Sequence, residues 1–258
     1  MIACQMCCRE APLCKAHLFP RALRKFVSED RNSPFFEISV TEGQPPKGLD
    51  TFEFDRNILC SQCDGYLGNF DRAFVEFVAA WQHDPIRWRS LVHPPSFETL
   101  RLQRDPIPLR FGILASLYRF AISERHPEVA LSPVEIRILR DILIQNDPEP
   151  RAFPVFINGY YRCDMLFGGK IIDITRIGRP HPAKSPGGFY FELFGLTIHI
   201  SVDPNTEWRR IANRENQKLI MTVNGVEESS PSFDHFYRHM LGAGAVIMPT
   251  QMTDLCGA

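Results

Sequence analysis

Cys4 and Cys7, and again Cys60 and Cys63, are cysteines separated by two residues, and this pair of pairs constrains the chain more than any other feature. A CxxC spacing lets two thiolates grip one ion from a tight turn, and two such turns complete a tetrahedral shell. Redox chemistry or a disulfide framework is the competing use of cysteines. The N-terminus, MIACQMCCRE, has no charged segment leading into an apolar one, so a cytoplasmic, reducing location is expected, where thiols serve metals rather than disulfides. The CxxCC run leaves Cys8 as an alternative to Cys7, although Cys4 with Cys7 is the ordinary spacing. Cys14 is either a spare ligand or, like Cys163 and Cys256, a structural thiol. A closed four-thiolate site has no open coordination position, so its ion is structural and any catalysis needs a second metal.

Around these cysteines the pattern reads strand, strand, helix. Phe35 to Val40 and Thr51 to Phe54 flank a GQPPKG loop as hairpin strands. Phe70, Phe74, Phe77, Val78 and Trp81 then recur at helical spacing over Cys63 to Trp81. His83 to Pro95, rich in Pro, Trp and Arg, is expected to be a linker, which divides the chain into a zinc module over 1–82 and a second domain over 96–258. In the latter, Ile107 to Glu124 is apolar on most sides and reads as a core helix. Leu131 to Gln145 opens with Ser132, Pro133 and Glu135 in a capping-box pattern, with Val134, Ile138 and Ile142 as its expected buried stripe. Beyond about residue 153 the pattern changes to strands: Phe153 to Asn158, Tyr161 to Phe167, Lys170 to Ile177, and a strictly alternating Leu196 to Asp203. An antiparallel sheet over about 153–223 is expected, with an Asn224-Gly225 turn after Lys218 to Val223 and a short last helix over Ser232 to Leu241. The expected fold class is therefore α+β, a zinc module followed by a mixed domain.

With 29 basic and 30 acidic side chains the chain is no polyelectrolyte, so any nucleic-acid contact must be local. The run from Gly112 to Tyr118, closed by Arg110 and Arg119, is too short to cross a bilayer, and no membrane span is expected.

The Ala16-His17-Leu18-Phe19-Pro20 stretch after the first CxxC, followed by Asp55, Leu59-Cys60 and Cys63-Asp64, resembles the HNH (ββα-metal, treble-clef) nuclease superfamily over about residues 1–80, closest to bacterial members with an "SHIIP"-like first motif. The resemblance implies a metal-dependent endonuclease cutting DNA, with RNA not excluded, and a role in bacterial defence. It implies that His17 is the general base that activates water, that Asp55 or Asn57 orients it, and that Asp64 holds a catalytic Mg²⁺ or Mn²⁺ while the four cysteines hold a structural Zn²⁺. The sequence departs from the family where Ala16 replaces an acidic ligand and where no histidine follows the second CxxC, leaving Asp64, with Asp71 further along the helix, to carry the metal. Arg21, Arg24 and Lys25 form a short basic segment suited to phosphates. The alternative is a catalytically inactive, zinc-stabilised nucleic-acid- or protein-binding adaptor, whose C-terminal domain meets a protein partner or a second copy.

Weaker signals are His235 and His239, at helical i, i+4 spacing after Asp234, which lack the glutamate of a metalloprotease motif. Gly168-Gly169 and Gly187-Gly188 read as turns. Trp81 and Trp88 fit packing better than base stacking, and His181 sits in a proline-rich loop.

Overall fold

The structure is a computed structural model. It describes residues 3–26, 35–37, 47–49, 53–82, 98–101, 106–147, 152–161, 164–167, 170–173, 180–183, 187–193, 196–202, 220–226 and 246–248. The expected linker His83 to Pro95, with Trp88, and the expected last helix with Asp234, His235 and His239 lie outside the described residues, as do Cys163, Cys256 and Gly168-Gly169.

The chain begins with a tight reversal. Ala3 bridges Glu10, Cys4 N–H donates to the Arg9 carbonyl at 3.0 Å and Cys8 N–H to the Cys4 carbonyl at 2.8 Å, with Cys8 in the left-handed region at φ 59°. Leu13 then bridges Cys60, and β1 (Ala16–His17) pairs antiparallel with β4 (Phe54–Asp55), Ala16 opposite Asp55 and His17 opposite Phe54. A 3₁₀ turn (Arg21–Phe26) and a small antiparallel pair, β2 (Phe35–Glu37) with β3 (Lys47–Leu49), lie between these strands in sequence. Immediately after Cys60 the long helix α1 (Ser61–Gln82) starts, burying Leu67, Phe74, Val75, Phe77, Val78 and Trp81, close to the stripe that the periodicity predicts.

Two further helices lean on α1. Helix α2 (Pro106–Ala121) is buried continuously from Phe111 to Phe120, as expected for a run apolar on most sides. It approaches α1 so closely at Gly112 that a Cβ there would lie 2.7 Å from the Phe70 carbonyl oxygen and 2.8 Å from the Phe74 Cβ, while the Phe70 and Phe111 rings stack at 5.1 Å. Helix α3 (Pro133–Gln145) has the predicted capping box: Ser132 Oγ accepts from Glu135 N–H and the Glu135 carboxylate from Ser132 N–H. Its expected buried stripe is corrected. Leu139, Ile142 and Leu143 are buried, whereas Val134 and Ile138 are 62% and 40% exposed, because α3 packs through its C-terminal half, where the Leu143 carbonyl accepts from Tyr66 Oη at 2.8 Å.

The remaining strands are β5 (Glu98–Arg101), β6 (Val155–Tyr161), β7 (Asp164–Phe167), β8 (Lys170–Asp173), β9 (His181–Ala183), β10 (Gly188–Leu193), β11 (Leu196–Ser201), β12 (Ile220–Val226) and β13 (Val246–Met248). They form a six-stranded sheet ordered β5-β12-β6-β11-β10-β9 and a three-stranded one ordered β13-β7-β8. Pairing is antiparallel as expected, except that β12 runs parallel to β6. Asn224-Gly225 is not a hairpin turn but lies inside β12, where the register with β6 shifts between Val223 and Val226. A parallel neighbour cannot be reached by a two-residue turn, so the dipeptide serves as a strand irregularity instead.

Among the described residues no helix is long and apolar enough to cross a membrane. The chain is a mixed α+β fold whose apolar core runs continuously from the cysteine turns through α2 to the sheet. Phe19 makes that join, edge-on to Phe120 of α2 at 4.9 Å and to Phe191 of β10 at 5.7 Å. Gly112→Ala is expected to push α2 off α1 and lower stability by about 1–3 kcal/mol, read as a lower urea midpoint with an unchanged m-value.

Candidate functional site

The reversal at residues 3–10 and the start of α1 bring four thiols together. The sulfurs of Cys4, Cys7, Cys60 and Cys63 all lie within 4.8 Å of one another, three of the residues buried and Cys7 half-buried. Four thiolates around an ion at roughly 2.3 Å place their sulfurs a little under 4 Å apart, so the donor set and its compactness fit a structural metal. Cys60 N–H points at the Cys4 sulfur, 3.4 Å away. Burial opposes ionisation of Cys4, but backbone N–H groups of Cys7, Cys60 and Met6 outweigh it and hold the thiol down at about 7. Cys63 is pushed far up by burial and by thiol contacts with Cys60, Cys7 and Cys4, so an ion binding here must displace protons. The choice between Cys7 and Cys8 is settled geometrically. Cys8 is exposed, outside the cluster, and its sulfur accepts from Arg140 Nη1 at 3.4 Å. Cys14 is half-buried and also outside it.

His17 closes β1 and faces the ring of Phe54 edge-on at 6.2 Å. It is half-buried, and its Nδ1 is buried without a hydrogen-bond partner among the described residues. Burial, then the charges of Lys15, Arg21 and Arg119, lower its pKa below 6.5, with Asp71 opposing, so the ring is neutral at pH 7. A neutral imidazole keeps one unprotonated ring nitrogen, which can accept a proton.

Asp64 and Asp71 lie on α1 two turns apart, and one cation from α2 meets both. Arg119, whose side chain is 2% exposed, places Nη1 2.8 Å and Nη2 3.1 Å from the two carboxylate oxygens of Asp71, and Nε 4.0 Å from Asp64 Oδ1. Burial raises the pKa of Asp64, Arg119 pulls it back and Asp71 adds to the rise. The sequence signal for Arg119 is its place: a cation between Tyr118 and Phe120, at the end of the run that is buried from Phe111 to Phe120.

Asp55 is placed differently from His17. As neighbours of opposite pairing partners on two-residue strands, the two side chains leave opposite faces of the hairpin, and the Asp55 carboxylate is taken up by Ser123 Oγ at 2.6 Å and Asn57 N–H at 2.8 Å. Asn57 itself is exposed, and Ala16 is fully buried. Arg21 and Lys25 are exposed on the 3₁₀ turn, Arg24 is half-buried, and Lys25 lies over the Phe26 ring at 4.8 Å. Trp81 is a core residue, 2% exposed, as expected. His181 is on β9, against Tyr190.

Two outcomes are expected from this geometry. Elemental analysis should find one bound metal per chain, lost on Cys60→Ser together with the cooperative thermal transition. Arg119→Met should cost about 3–5 kcal/mol in urea unfolding because Asp71 loses its buried partner, and Arg119→Met with Asp71→Leu should recover much of that loss.

Comparison of the chain with protein-family models, with curated proteins and with solved structures finds no match.

Proposed function

We propose that the chain is an HNH-like endonuclease that hydrolyses DNA phosphodiester bonds, built on a treble-clef module with a structural Zn²⁺ on Cys4, Cys7, Cys60 and Cys63. The observation that carries this reading is the Nδ1 of His17, without a hydrogen-bond partner among the described residues and held on a two-strand hairpin whose second strand leads through the CxxC into α1, the helix of Asp64 and Asp71. In this reading His17 takes the proton from the attacking water, and its lowered pKa keeps it free to do so at neutral pH. Asp64, with its side chain 30% exposed, is the carboxylate that would hold Mg²⁺ or Mn²⁺, with water and phosphate oxygens completing the shell. Such an ion supplies charge stabilisation at the phosphate. Arg119 fixes Asp71 and leaves Asp64 the freer of the two. Asp55 anchors the hairpin to the end of α2 through Ser123, which positions β1 at one remove from the chemistry. A place in defence against foreign DNA is part of the same family-based reading.

The second reading, a zinc-stabilised adaptor without catalysis, is favoured by two features of the same site. Ala16 offers no carboxylate, and Arg119 already neutralises part of the acidic pair on which a divalent ion would depend.

Plasmid nicking separates the two. The nuclease reading expects nicking by the zinc-loaded protein with Mg²⁺ or Mn²⁺, abolished by His17→Ala and by Asp64→Ala. Its rate should be level at neutral pH and fall only as pH drops below 6.5, because the base must be unprotonated and its pKa is lowered. Nicking that His17→Ala leaves intact, or none by the wild type, sinks it.

A further inference from the structure

Phe54, the strand partner of His17, has three cations around its ring. Lys15 Nζ lies 3.9 Å from the ring centroid, Arg56 Cζ 5.6 Å and Arg125 Cζ 5.9 Å. All three residues are exposed. They come from three separate places in the fold: the segment entering β1, the turn after β4 and the turn after α2. Among the described residues none of the three is ion-paired. Arg125 Nη1 donates to the Phe54 carbonyl at 2.5 Å, and the side chains of Lys15 and Arg56 make no hydrogen bond among the described residues. Of the acidic groups adjacent in sequence, Glu53 meets His126 Nε2 at 3.5 Å and Asp55 holds Ser123 and Asn57, while the exposed Glu124 beside Arg125 makes no ion pair among the described residues.

Three like charges gathered on one ring repel one another, and a chain of net charge -1 has acidic side chains enough to have paired them. Left unpaired at one spot, they suit a polyanion whose phosphates are spaced along a backbone. Lys15 also acts electrostatically on His17, so the patch and the histidine share one field. The fold, not the sequence, makes this cluster, since Arg125 joins it from 71 residues further along the chain than Phe54.

We infer that Lys15, Arg56 and Arg125, gathered on Phe54, form a docking patch for the sugar-phosphate backbone of DNA that leads the strand past His17. Arginines contribute forked donors to phosphate oxygens and the lysine a point charge. The patch shares no residue with the basic segment Arg21, Arg24 and Lys25. The inference rests on the DNA side of the reading above and not on cleavage. It is therefore tested with no added Mg²⁺ or Mn²⁺, and binding without nicking would leave the patch standing while removing the nuclease.

The probe is a fluorescein-labelled DNA duplex, with affinity followed by anisotropy across a salt series. Each neutralised phosphate contributes a slope of about -0.9 to log K against log salt, so Lys15→Gln, Arg56→Gln and Arg125→Gln together should make the slope shallower by roughly 2 to 3 and weaken binding at least about tenfold near 0.1 M salt. The charge-keeping set Lys15→Arg, Arg56→Lys and Arg125→Lys should retain most of the slope. Arg125 also holds a backbone carbonyl, so Arg56→Gln alone, which removes only a ring contact, provides the second variant, with an expected slope change of about 1 and an unchanged melting temperature. An unchanged slope in the triple variant overturns the inference. So does polyglutamate displacing the duplex at equal charge concentration, which would assign the patch to an acidic protein.

Discussion

Four sulfurs drawn within 4.8 Å of one another tie the N-terminal reversal to the first turn of α1, across 56 residues of chain between Cys4 and Cys60. Everything near His17 inherits its position from that closure. Leu13 can bridge Cys60, and Cys14 can donate to Leu59, only because the two CxxC turns stand side by side, and the short β1–β4 pair continues the same alignment. Two strands of two residues are too small to hold themselves together in water. A metal on the thiols would offset the loop-closure entropy and make the hairpin's register definite.

The second constraint is electrostatic and comes from outside that module. Arg119 is carried on a helix that is otherwise a greasy wedge, and its guanidinium reaches Asp71 with a forked pair of hydrogen bonds while standing near Asp64. A buried cation is tolerable only with its charge answered at close range, so the pair fixes the rotation of α2 on α1. Tyr118, one residue earlier, donates to the Gln5 carbonyl in the first cysteine turn, and Ser123, just beyond the helix, holds Asp55 on β4. Helix α2 and the turn that follows it thus touch the first cysteine turn, the hairpin and α1 through residues 118–123. The candidate site belongs to the assembled helices as much as to the cysteine module.

Around His17 the same assembly produces an uneven field. Lys15, Arg21 and Arg119 oppose protonation of the ring, while Asp71 opposes them. On the inner side of the site charges are paired and buried; on the outer side, around Phe54, they are exposed and unpaired among the described residues. That asymmetry makes the outer side the natural approach for an anion.

Much of this was legible in the residues themselves. The CxxC spacings picked out the four sulfurs that the fold gathers, the apolar period of 63–81 marked a helix within a turn of its ends, Ser132 and Glu135 announced their cap, and the alternation over 196–203 marked a strand that runs over 196–201. These are local signals, set by bond geometry and by the periods of helix and strand. What the sequence could not supply depends on which element lands beside which. Val134 and Ile138 have the spacing of a buried stripe, but α3 meets its neighbours through its C-terminal half, where Ile142 of the same stripe is buried. Asn224-Gly225 has the chemistry of a turn, but a parallel neighbour keeps it within a strand. Arg119 is separated from Asp71 by 48 residues and Arg125 from Phe54 by 71, and no local pattern encodes such pairs. Burial of a charge and the gathering of charges are properties of packed surfaces, so the ligand set could be read along the chain while the electrostatics of the site were decided only when the helices closed on it.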